Sequence, residues 1–96
     1  MPSEIQTLYE QLRATPFPDL GKRVGDFALY DSLLAGCADR ATRGESIPAA
    51  DIPVPDDETL RCVNELRLKH TLNAAETDFL RYFELQERIR IILSTH

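Results

Sequence analysis

From Asn73 onward the chain carries neither glycine nor proline, the two residues that most readily interrupt a helix. About twenty residues can therefore wind continuously, into a rod roughly 30 Å long. Asn73 and Glu76 open it as a capping box, in which each side chain satisfies a free amide of the other. Phe79, Leu80, Tyr82, Phe83, Leu85, Ile89, Ile91, Ile92 and Leu93 then follow. That is more than one apolar stripe of about 100° can hold. On a helical wheel these residues cover roughly half the circumference, with Leu80 and Ile91 outlying. A helix this apolar is either central to its own domain or shared with another copy.

Three further helices precede it. Ser3 and Gln6 form a second capping box, and Ile5, Leu8, Tyr9 and Leu12 recur at helical spacing until Pro16 and Pro18 stop the run. Phe17, between those prolines, is expected to anchor at the edge of the core. In the second helix Phe27, Tyr30, Leu34, Cys37 and Ala41 follow a 3-4-3-4 spacing, flanked by Leu33 and Ala38, and Gly44 suits the position just past its end. Gly21 and Gly25 weaken any helix across 19–25 by about 1 kcal/mol each, so helix is expected from Asp26. The third helix begins with Asp56, Asp57 and Glu58, acids placed at the positive end of its dipole. Leu60, Val63 and Leu66 form its stripe, and Arg67, Lys69 and His70 stand at its other end.

Charge is distributed unevenly. The chain has 16 acidic and 11 basic residues, net −5. Glu45, Asp51, Asp56, Asp57 and Glu58 account for that whole excess in a stretch without a basic residue. Pro48, Pro53 and Pro55 lie in the same stretch, and proline fixes φ while biasing the preceding residue toward extended backbone. Residues 45–55 therefore read as an extended acidic connector, with Ile47, Ile52 and Val54 able to lie along a surface. No segment alternates with period two and none repeats. The expected fold is all-α: one compact bundle over 1–96, of about four helices (3–14, 26–42, 57–69 and 74–93) with one extended Pro-rich crossing segment.

Catalytic and cofactor chemistry finds little support in the residue pattern. His70 and His96 are the two histidines, and neither has the glutamate three residues earlier that a di-iron bundle requires. No Cys-x-x-Cys or His-Glu-x-x-His occurs, so no metal and no cofactor is expected. Glu84 and Glu87 read as a solvated pair, Glu84 facing Arg88. The pairs Glu65–Lys69, Glu84–Arg88 and Asp39–Arg43, spaced i, i+4 with the acid first, mark outer faces. Cys37 falls on an apolar stripe, where an inert thiol is the rule; Cys62 beside Arg61 lacks a neighbouring histidine base. Lys22 and Arg23, between Gly21 and Gly25, are a weak anion-site candidate, with no strand before them and no phosphate-loop spacing.

The acidic balance argues against nucleic acid and anionic membranes. The αα-hairpin of the last two helices could resemble a helix-turn-helix, but the start of its second helix, Ala74–Phe79, is acidic and aromatic where a recognition helix needs polar and basic residues. No apolar run approaches the 18 or so residues of a membrane span. The opening residues Met1–Glu4 lack a secretory pattern, which sets the expectation of a cytoplasmic protein with free thiols.

The function expected on these grounds is that of a small non-catalytic interaction or accessory protein, a homodimer formed through the last helix. Tyr82, Leu85, Ile89, Ile92 and Leu93 are the expected self-association surface. Ile52, Val54, Asp56 and Asp57 are the candidate segment for a protein partner. The alternative is an enzyme or small-ligand binder with a pocket between helices two and four, lined by Tyr30, Asp31, Cys37 or Tyr82.

Overall fold

Four α-helices form where apolar spacing and capping residues place them: α1 (Glu4–Ala14), α2 (Phe27–Thr42), α3 (Asp57–Leu68) and α4 (Ala74–Thr95). The computed structural model describes residues 4–18 and 26–95, and no strand occurs among them. The helices pack against one another, α1 on both α2 and α4, and α3 on α4. Ser3, and the expected weakening of helix across 19–25, lie outside the described residues.

Local chemistry sets the ends. Past α2, Gly44 takes φ +89°, and the amides of Gly44 and Glu45 reach back to the Ala41 and Arg40 carbonyls at 3.0 and 3.1 Å. That pair of bonds is a Schellman motif, and it needs a residue with no Cβ penalty at positive φ. Asn73 Oδ1 accepts from the Glu76 amide at 2.8 Å while Glu76 Oε1 accepts from the Asn73 amide at 3.1 Å, the reciprocal capping box. Glu76 is itself buried and also takes Lys69 Nζ at 2.8 Å, so the pair joins the end of α3 to the start of α4. Lys69 thus serves Glu76 and not the expected Glu65.

Asp56 ties two helices together. Its Oδ1 accepts from the Thr59 amide at 2.8 Å, capping α3, and its Oδ2 accepts from the Asp26 amide at 2.9 Å, at the head of α2. These bonds, led by the Thr59 hydroxyl, hold its carboxyl below the usual aspartate range. Asp56→Ala is expected to cost about 1 kcal/mol of stability. The sign follows from the depressed folded value: the contribution is full above the unfolded aspartate pKa near 4 and is lost as acid protonates the folded carboxyl below it. Urea titrations at pH 7 and pH 3 check this, the gap between wild type and variant narrowing at the lower pH.

The core is aromatic and centres on Phe27, whose ring meets Phe79 edge-on at 5.0 Å, Tyr82 at 6.0 Å and Phe17 in a stack at 5.5 Å. Phe17 lies over the edge of this cluster, half-exposed. Two expectations need correction. The buried face of α3 consists of Thr59, Cys62, Val63 and Leu66, while Leu60 stands on the exposed side; Thr59 can be buried because Asp56 satisfies its polar groups. The acidic connector is not uniformly extended either. Ala49–Asp51 form a 3₁₀ turn between the extended residues Pro48 and Ile52. Ile47 is buried, and Ile52 packs against the core.

Candidate functional site

The expected self-association surface on α4 is occupied by the chain's own core. Tyr82, Ile89 and Leu93 are 5%, 0% and 5% exposed, and Leu85 and Ile92 are partly buried against the same cluster. The apolar excess that suggested an outward partner is taken up because α4 touches α1, α2 and α3 at once. Only Ile91 of this helix stands among the exposed large apolar residues.

The candidate partner segment is also divided by the fold. Ile52 faces the core and Asp56 caps α3, so neither is free for a partner. Val54 and Asp57 remain outward. Together with Leu60, Arg67, Phe83 and Arg90 they border a groove of about 450 Å³ between the connector, α3 and α4. Lys22 and Arg23 lie outside the described residues.

Between α2 and α4 two of the expected pocket residues, Asp31 and Tyr82, meet in direct contact. Asp31 Oδ1 accepts from Tyr82 Oη at 2.6 Å and from Gln86 Nε2 at 2.9 Å, joining positions more than fifty residues apart. Gln86, missing from the sequence reading, is fully buried, and its Oε1 has no hydrogen-bond partner among the described residues. Burial, reinforced by the Asp31 hydrogen bond, pushes the Tyr82 phenol far above its ordinary value. Burial and then the Glu87 charge do the same for Tyr30, with Arg90 opposing. The Tyr30 hydroxyl makes no hydrogen bond of good geometry, although Arg90 lies close enough to act on its charge while binding Glu87 at 2.7 Å. Both phenols therefore stay protonated throughout the neutral range and are not bases; Tyr82 uses its proton to donate to Asp31. Cys37 is apart from this cluster: its thiol lies 3.4 Å from the Asp51 carbonyl, and burial pushes its pKa up. A raised thiol pKa lowers the thiolate fraction that a nucleophile needs. Chemically the cluster can fasten α2 to α4.

The outward side of α2 is the surface the sequence reading passed over. Leu29 and Leu33, one turn apart, are 58% and 51% exposed. One turn further, no described residue outside the helix's own backbone and the chain neighbours comes within 4 Å of where a Cβ on Gly36 would stand. Beside them a hollow of about 350 Å³ opens between α2 and the Ala49–Asp51 turn, reached by Leu33, Gly36, Arg40 and Asp51. The signal for this surface was the second spacing in the helix, 29-33-36, running next to the core stripe.

Among the described residues no group of three metal-ligating side chains gathers, and no helix is long and apolar enough to cross a membrane. No protein family, no curated protein and no solved structure matches this chain.

Proposed function

We propose that this is a non-catalytic helical interaction protein of the cytoplasm that self-associates, and that the outward side of α2 carries the contact in place of α4. The observation that supports it is the exposed pair Leu29 and Leu33. Single exposed leucines are ordinary on protein surfaces. Two stacked on adjacent turns of one helix, followed by an open glycine, make a strip that another helix can lie along. Covering a leucine contributes about 1.5–3 kcal/mol when burial is complete. Cys37 and Cys62 are both buried and neither is in a disulfide, which fits a reducing compartment.

Sedimentation equilibrium tests the reading. The wild type is expected to associate in the micromolar range, and replacing Leu29 and Leu33 together by serine is expected to raise the dissociation constant at least about tenfold. Because both side chains are exposed, the variant should keep its helical circular dichroism. A wild-type chain that remains monomeric at several hundred micromolar overturns the reading.

A further inference from the structure

We infer that two copies of the chain pair antiparallel along α2, with Asp26 of each directed to Arg40 of the other; the inference rests on the self-association just proposed. Asp26, Leu29, Leu33, Gly36 and Arg40 are spaced 3-4-3-4. That is the a/d repeat of a helix–helix seam, and the seam is separate from the core stripe of Phe27, Tyr30, Leu34 and Cys37.

The ends of this seam carry opposite charges. Asp26 stands at the N-cap of α2, yet its carboxylate makes no capping hydrogen bond. The Asp26 amide donates to Asp56, and the Asp26 side chain is exposed. Arg40 lies about 21 Å along the helix, four turns away, on the same strip. Its contact with Glu45 is a loose 3.4 Å between two half-exposed side chains. In a parallel pair like charges would meet at both ends. In an antiparallel pair each end finds its complement, and the two helix dipoles also oppose favourably. The strip is therefore complementary to itself, which singles out a second copy as its occupant.

Gly36 sets the register. Glycine inside a helix is unfavourable relative to alanine, and nothing among the described residues requires it, since a Cβ there would meet open space. With the two-fold axis midway between Leu29 and Leu33, Leu29 packs on the partner's Leu33 and the first turn of α2 comes down on the partner's Gly36. The missing side chain permits that approach. Asp26 then reaches the partner's Arg40 one turn further on.

Dissociation constants from sedimentation velocity test the pairing by charge exchange. Asp26→Lys and Arg40→Glu are each expected to weaken the dimer about fivefold, and the double variant to return within about twofold of wild type. Gly36→Leu, which has room in the isolated chain, is expected to weaken it more than tenfold or so while helical circular dichroism is retained. A dimer whose dissociation constant ignores both charge reversals, or tightens with Gly36→Leu, overturns the antiparallel register and leaves self-association standing. A monomeric wild type overturns both.

Discussion

Phe27→Ala is expected to cost about 3–5 kcal/mol, the range for an aromatic truncated inside a packed core. The ring is 1% exposed and is the hub of the aromatic cluster, with Phe17, Tyr30, Phe79 and Tyr82 all between 5.0 and 6.4 Å away. Those neighbours come from α2, α4 and the segment after α1, so no single helix can shift to refill the space. A domain of this size holds roughly 5–15 kcal/mol of stability in all. The variant should therefore unfold at a much lower urea concentration with little change in m-value, or fail to fold at 37 °C. Phe17→Ala is the control. Its ring stacks on the same hub but is half-exposed, and its loss should cost about half as much or less.

The second large effect concerns the ion pair between α3 and α4, and it is asymmetric. Glu76 is 2% exposed at the side chain, while Lys69 is 46% exposed. Removing the lysine takes the cation from a buried carboxylate, which water reaches poorly. Removing the glutamate's charge leaves an ammonium that water already half surrounds. Lys69→Ala is therefore expected to cost about 2 kcal/mol or more, short of the 3–5 or so for a pair buried on both sides. Glu76→Gln keeps the shape and an acceptor for the Asn73 amide, and should cost about 1 kcal/mol. Urea unfolding of the two variants side by side gives the comparison. If the glutamine variant proves the weaker of the two, the buried carboxylate does not depend on Lys69.

What the sequence made legible was local. The Asn73–Glu76 box and the glycine past α2 are short-range devices, and both are found with the expected hydrogen bonds. The all-helical architecture followed from the same signals. Where the reading went astray, the deciding partner lay far along the chain. Thr59 faces inward because Asp56 satisfies it, so hydropathy alone placed Leu60 on the wrong side of α3. The excess of apolar residues on α4 was real, but periodicity cannot say how many neighbours a helix has; with three, its large apolar residues other than Ile91 are at least partly covered. Asp31, Tyr82 and Gln86 are joined across separations of 51 and 55 residues, which leaves no trace in spacing. The α2 strip was hidden for a different reason. A helix with leucines on two sides shows a weak amphipathic signal, and the stronger stripe was read as the only one.

The position of α4 at the centre also bears on how the chain comes off the ribosome. This helix is translated after the other three, and α3 has it as its chief neighbour. Until its apolar side arrives, Phe27 lacks the Phe79 and Tyr82 rings that cover it, and a nascent chain exposes it to chaperones and to other unfinished copies. Synthesis halted before Phe79 would thus yield a polypeptide with its greasy interior on display.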